Sequence, residues 1–326
     1  MDDVLGPLRG GPAAAPPTGG LLPNEVSGPA LLGLVGSVTM AVGGALAGAA
    51  SPLGPGSRWL WEVPSIPVRP AVDLLPALVA FYGGLVLLSR AWLRMGPAVR
   101  SLRAPERRRR QVVLAVAALW ALPLVLGPPL GSRDVYAYAA VGELAVAGHD
   151  PYEVGPSVLG DGGLLDAVDP LWREQPTPYG PSFLAVARGS AGVVGSHPLT
   201  AVLVYRVLAV AGLALVAAFL PRLAVRFGGD GATALLLALA NPLTMLHLVS
   251  GAHNEALLAG LVVAGLALAT GPRAPTTPSG LALGWRPRGP VDPARASSLA
   301  YGCGLVLCAL AAGIKVPAAL AVVWLA

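Results

Sequence analysis

Three short polar clusters interrupt an otherwise apolar chain, and each holds residue types that can do chemistry. The first opens at Asp134, in GSRDVYAYAAVGELAVAGHDPY, directly after an apolar run. A carboxylate placed there sits at a membrane surface, where it can take a proton from a hydroxyl beside a lipid-borne substrate. Arg133 precedes it, so a local ion pair or a helix N-cap carboxylate accounts for the same residue. Tyr136 and Tyr138 suit an interfacial helix with aromatic anchors. Gly148 and Pro151 end that helix as C-cap and stop. His149 and Asp150, between them, either support Asp134 or simply terminate the helix.

The second cluster is Ser250-Gly251-Ala252-His253-Asn254-Glu255, joining two long apolar runs, with His247 about one helical turn away. A short loop needs polar residues in any case. Even so, His253, Asn254 and Glu255 are three consecutive hydrogen-bonding side chains on the side expected for Asp134. Asn241-Pro242 upstream predicts a kinked or interrupted helix. The third cluster is a single residue: Lys315 is the only lysine in a chain with 22 Lys and Arg residues. It lies in CALAAGIKVPAAL, some sixteen residues into a predicted span. An ammonium near the interface can hold a phosphate as a compact point charge, or it can snorkel with no further role.

Other chemistries find no support. The chain has no glycine-rich phosphate loop, CxxC pair, HExxH or G-x-S-x-G elbow, and no clustered residues with metal-ligand spacing. Cys303 and Cys308 lie on different sides of one apolar helix and are read as core hydrophobes. Glu153, Asp161, Asp166 and Asp169 are read as solvated loop acids, and Glu143 points to a different side of the helix that begins at Asp134.

These residues must be positioned by membrane spans. The chain is 55% hydrophobic and only 12% charged over 326 residues, with a mean hydropathy of +0.67, which a water-facing surface does not permit. The fold class expected is all-α, a polytopic membrane helix bundle. Apolar stretches at 30–50, 74–93, 112–130, 199–220, 232–249 and 256–269 read as spans, and a seventh opens at 299. The net charge of +5 and pI near 9.6 do not indicate nucleic acid, because the arginines flank spans instead of forming one basic face. Arg90, Arg94, Arg100, Arg103 and Arg107 to Arg110, against the single acid Glu106, mark a cytoplasmic loop. The loop at 131–198 is then outside the cell membrane, as is the His253 loop, and the Pro- and Arg-rich linker at 271–298 is inside. The stretch YGPSFLAVARGSAGVVG reads as an interfacial or re-entrant helix, since Arg188 at the centre of a span costs about 2.5 to 3.5 kcal/mol. Residues 1–29 read as a disordered cytoplasmic tail. Residues 30–326 read as one membrane domain, and the apolar ending reads as truncated.

The stretches RDVYAYAAVGELAVAGHDPY, DPLW with PTPYGPSFLAV, ANPLTMLHLVSGAHNEALLAGLVVAGLAL and AAGIKVPA, in this order, resemble one family. It is the GT-C superfamily of integral-membrane glycosyltransferases, and within it the actinobacterial α-1,6-mannosyltransferases of the MptB type. The resemblance implies a polyprenyl-phosphate mannose donor, a lipoglycan acceptor of the lipomannan type and inversion at the sugar. It also implies no cofactor and no metal. Asp134 takes the place of the general base. Arg133 or Lys315 neutralises the departing phosphate, and Tyr136, Tyr138, His149, Asp150, Tyr179, His253, Asn254 and Glu255 are candidate substrate contacts. Two rivals remain: a lipid or sugar transporter or flippase, which needs polar residues along a path through the bilayer, and a non-catalytic assembly subunit, which tolerates loss of Asp134.

Overall fold

The computed structural model describes residues 22–47, 74–195, 197–271 and 297–325, and every regular element among them is helical. Most of the tail and of the linker, and the loop at 51–73, lie outside the described residues. Four helices are long and apolar enough to cross a membrane: α1 (Asn24–Leu46), α2 (Leu74–Ser101), α3 (Glu106–Leu126) and, later in the chain, a fourth at Pro198–Arg226. Helix α1 starts at Asn24, six positions before the apolar run, so the last residues assigned to the tail are helical. Between the third and fourth crossing helices come α4 (Asp134–Val146), the short α5 (Leu164–Ala167) and α6 (Pro170–Arg173), and α7 (Pro181–Val194). The fourth crossing helix, Pro198–Arg226, is α8.

At 13 and 14 residues, α4 and α7 are about 20 Å long, too short for a hydrocarbon core of about 30 Å. They pack on one another and on α8. The exposed Arg188 lies on α7, in accord with a helix that does not cross.

The run at 232–249 is not one straight span. Helix α9 (Gly231–Leu239) and a π-helical turn at Thr244–Ser250 meet at a bend of 67°. The break falls at Asn241-Pro242, as the sequence predicts. Pro242 lacks an amide hydrogen, and Asn241 fills the gap: its Nδ2 donates to the Leu237 carbonyl at 2.6 Å while its Oδ1 accepts the Thr244 amide at 2.9 Å. The start of α9 is fixed by Asp230, whose carboxylate accepts the Thr233 amide and hydroxyl, each at 2.8 Å, and pairs with Arg109 at 2.9 Å. Burial works to raise its pKa, but the Thr233 hydrogen bonds and Arg109 outweigh this and hold the carboxyl below its usual value.

Helices α10 (Glu255–Ala269) and α11 (Ser298–Ala312) are 15 residues each, shorter than the four crossing helices. Helix α11 stops at Ala312, where the sequence suggests a continuous span. Gly313 and Ile314 turn away, a 3₁₀ turn follows at Val316–Ala318, and α12 (Ala319–Leu325) resumes the helix. Pro317 at the first turn of the new segment makes the interruption cheap. Cys303 and Cys308 are both free thiols; Cys308 is buried in the core as expected, whereas Cys303 is exposed.

Helices in lipid gain little from apolar burial against each other, so close backbone approach matters more. A Cβ added at Gly36 of α1 lies 2.6 Å from the Leu88 amide nitrogen and 2.8 Å from the Gly84 carbonyl of α2. The same happens between α10 and α11, where a Cβ at Gly265 lies 2.7 Å from the Gly304 carbonyl. Only glycine permits these two contacts. Trp120 Nε1 donates to the Ala30 carbonyl at 2.9 Å and ties α3 to α1.

Candidate active site

The three polar clusters converge at one end of the bundle. Asp134 is the first residue of α4, and its amide donates to Ser132 Oγ at 3.1 Å. Its carboxylate meets the loop that precedes α10, with Asp134 Oδ2 at 3.4 Å from His253 Nδ1. The same nitrogen lies 3.7 Å from Glu255 Oε2, and Glu255 Oε1 accepts from Lys315 Nζ. Lys315 Nζ also sits 5.1 Å from the centre of the Tyr179 ring, within cation–π range. A chain of carboxylate, imidazole, carboxylate and ammonium therefore runs across segments far apart in sequence.

Backbone hydrogen bonds set these segments against one another. The Gly313 and Ile314 carbonyls, freed where α11 stops, accept from the Ser182 amide at 2.9 Å and the Gly180 amide at 3.0 Å. The break after α11 is thus docked on the start of α7. That places Lys315 beside Tyr179 and Glu255, instead of within a continuous helix.

His253 is buried, and its ring stacks on His247 with centroids 3.7 Å apart. Burial, then the neighbouring His247, lower its pKa, against the pull of Asp134 and Glu255 in the other direction. The neutral imidazole is therefore favoured at pH 7, and a proton on Nδ1 is the tautomer its two carboxylate neighbours select. Ala252, just before it, has φ +52° while fully packed. A residue with a Cβ in the left-handed region stores strain, here next to the polar centre.

An aromatic wall backs the carboxylate. Tyr138 is buried, with ring centroids 5.2 Å from Tyr179, 4.9 Å from Phe183 and 5.4 Å from Tyr205, all edge-to-face. Burial first, and then neighbouring Tyr179 and Asp134, push the Tyr138 phenol well above its usual pKa. Burial and Asp134 do the same to Tyr179. Both stay protonated and can act as hydrogen-bond donors, not as bases. On the open side, Asp134, Trp172, Gln175, Thr177 and Tyr179 line a narrow cleft of about 30 Å³.

The structure sorts the residues singled out in the sequence. It brings Asp134, Tyr138, Tyr179, His253, Asn254, Glu255 and Lys315 together. Arg133 stands at the start of α4, and its charge acts with that of Arg206 on the buried Tyr136 phenol, whose pKa burial raises. His149 and Asp150 are not part of this centre. They are exposed at the far end of α4, about 20 Å away along the helix. Asp150 Oδ1 accepts the Tyr152 amide at 2.9 Å, a turn that ends the helix.

Two features escaped the sequence reading. Arg206, on α8, is buried and donates to the Val125 carbonyl at 2.6 Å and the Ser250 carbonyl at 3.1 Å, tying the ends of α3 and the π-helical turn together. A guanidinium inside an apolar span is itself a signal that polar partners await it. The second is a set of potential ligands: His247, His253 and Glu255 place ligand atoms within 4.8 Å of one another. The π-helical turn and the loop after it create this grouping, which linear spacing conceals. Lys315, bonded to Glu255, already sets a positive charge beside it.

Fold and site together define a polytopic, all-helical membrane protein with an acid–imidazole–ammonium centre at one end of its spans. Residues 30–326 match the model of the MptA/MptB family described as "Alpha-(1->6)-mannopyranosyltransferase, N-terminal domain", and the chain belongs to that family. It is 39% identical over 241 residues to a probable α-(1→6)-mannopyranosyltransferase of Mycolicibacterium smegmatis, covering 72% of this chain and 41% of that protein. It is 39% identical over 245 residues to an α-(1→6)-mannopyranosyltransferase of Mycobacterium tuberculosis, covering 73% of this chain and 40% of that one. With α-(1→6)-mannopyranosyltransferase A of Corynebacterium glutamicum it shares 36% identity over 190 residues, covering 57% and 39%. The chain thus spans about two fifths of the length of these relatives. No solved structure matches it.

Proposed function

We propose that the chain is the catalytic N-terminal part of an inverting mannosyltransferase of the cell membrane. Its donor is polyprenyl-phosphate mannose, and it extends an α-1,6-linked lipoglycan on the extracytoplasmic side. The observation that carries this reading is the placement of a carboxylate, Asp134, and an ammonium, Lys315, in one centre, joined through His253 and Glu255.

The acceptor hydroxyl attacks C1 of a β-linked mannosyl phosphate from the face opposite the phosphate. Its proton passes to Asp134, the C1–O bond to phosphate breaks, and the polyprenyl phosphate leaves as an anion, giving an α-mannoside. Lys315 neutralises the growing phosphate charge. An ammonium has three donors, so the one engaged by Glu255 leaves two for phosphate oxygens. His253 positions the Asp134 carboxylate through Nδ1, and the Tyr138 and Tyr179 phenols, kept protonated, serve as donors toward sugar hydroxyls.

A transporter fits less well, because the groups of this centre lie at the ends of the spans and the buried Arg206 is engaged with backbone carbonyls. The test is mannose transfer in membranes holding the full-length protein, supplied with radiolabelled polyprenyl-phosphate mannose or with GDP-mannose while donor synthesis is blocked. Label is expected to reach lipoglycan from the lipid donor alone; transfer from GDP-mannose under that block refutes the donor assignment.

A further inference from the structure

The other end of α10 holds a different feature, a cavity of about 590 Å³. It lies between the C-terminal ends of α8 and α10 and the starts of α3 and α11. Among the described residues, Arg110, Arg222 and Arg226 line it, against the single acid Glu106. Glu106 is already occupied: its Oε1 accepts the Gly231 amide at 3.2 Å and lies 3.9 Å from Arg110 Nε. Arg226 Nε is buried with no hydrogen-bond partner among the described residues. Positive charge is thus in excess in a partly enclosed space.

Two further properties narrow the ligand. The start of α11, where Ser297 caps the helix, opens on the cavity, so its positive dipole end adds to the arginine charge. The remaining wall is mostly apolar, with Pro221, Val225, Ala267 and Leu268, and the hydroxyl of Thr270 there donates to the Leu266 carbonyl at 2.8 Å. A guanidinium pair suits a phosphate through its planar fork, and the volume falls in the range of small-ligand sites. A soluble anion has no use for the apolar wall, whereas a lipid has. The position at helix ends is the depth at which headgroups lie.

We propose that this cavity binds the phosphate-bearing headgroup of an anionic membrane phospholipid, held by Arg222 and Arg226. It is separate from the mannosyl-transfer centre and independent of the function proposed for it.

The test is native mass spectrometry of the full chain in detergent after exchange with phosphatidylglycerol or phosphatidylcholine. Wild type is expected to retain phosphatidylglycerol selectively. R222Q/R226Q should weaken retention by about fivefold per arginine removed, while R108Q, an exposed arginine outside the cavity, leaves it unchanged. R222K/R226K keeps the charge but not the planar fork and should recover only part of the retention, which separates lost binding from lost folding. Equal retention by R222Q/R226Q and wild type overturns the proposal. So does equal loss in R108Q, which marks diffuse surface charge, or full displacement of the lipid by millimolar inorganic phosphate, which marks a free-phosphate site.

Discussion

The two ends of α10, about 22 Å apart along its axis, are built on opposite plans. At the Glu255 end, unlike charges face one another at short range, and the adjoining cleft is about 30 Å³. At the Gly271 end, like charges line a cavity of about 590 Å³ with one acid among the described residues there. Paired charges in a narrow cleft hold fixed directions, which suits proton transfer and the stabilisation of a leaving group. Like charges around a larger space suit capture of a counter-ion. Charge at the end of a helix therefore says little about role until its partner and its room are known.

The largest effect expected from breaking the first end is that of Asp134→Asn, which keeps the shape and removes the proton acceptor. Mannose transfer should fall about 10²- to 10⁴-fold while the protein still inserts and purifies normally. Lys315→Ala comes next, with a loss of about 10²-fold. Lys315→Arg should recover only part of this, since a planar fork replaces a point charge. Steady-state transfer at subsaturating donor measures both. Near-normal rates for Lys315→Ala return this lysine to a structural pairing with Glu255.

Much of this end was legible in the sequence because polar residues in an apolar chain are few. Asp134, the His253-Asn254-Glu255 run and Lys315 each stood out against their surroundings, and the break at Asn241-Pro242 followed from proline chemistry. What linear reasoning missed was the effect of broken helices. The π-helical turn brings His247 onto His253, and the stop at Ala312 turns Lys315 toward Glu255; neither depends on spacing that an unbroken helix reveals. Arg206 gives no signal in the hydropathy, because a single arginine in a long apolar run hardly disturbs it. His149 and Asp150 are close to Asp134 in sequence, but a rigid helix between them holds them at its far end.

Smaller effects sharpen the contrast. Arg206→Met removes two charge-assisted bonds to backbone carbonyls and leaves those carbonyls unpaired, which should cost about 2 to 3 kcal/mol of stability, measured as a lower thermal midpoint in detergent. His253 gives a pH signature. Its folded pKa lies below the unfolded value, so the unfolded state takes up a proton first as pH falls below about 6.5. Its contribution is complete above that value and is lost as pH falls toward the folded pKa. Thermal stability should therefore decline from pH 7.5 toward pH 5.5, with a shallower decline in His253→Gln. An equal slope in both excludes His253 as the group responsible. The smallest effect belongs to His149→Ala, which should leave transfer within about twofold of wild type, as an exposed residue far from the site.

On the proposed mechanism, Asp134 and Lys315 act in one centre on one reaction. A double-mutant cycle tests this most directly, with transfer rates measured for Asp134→Asn, Lys315→Ala and the pair in equal amounts of folded protein. Groups that act as a unit are strongly non-additive, so the double variant should be little slower than Asp134→Asn alone. Losses that multiply in full show two independent sites and rule out a shared centre.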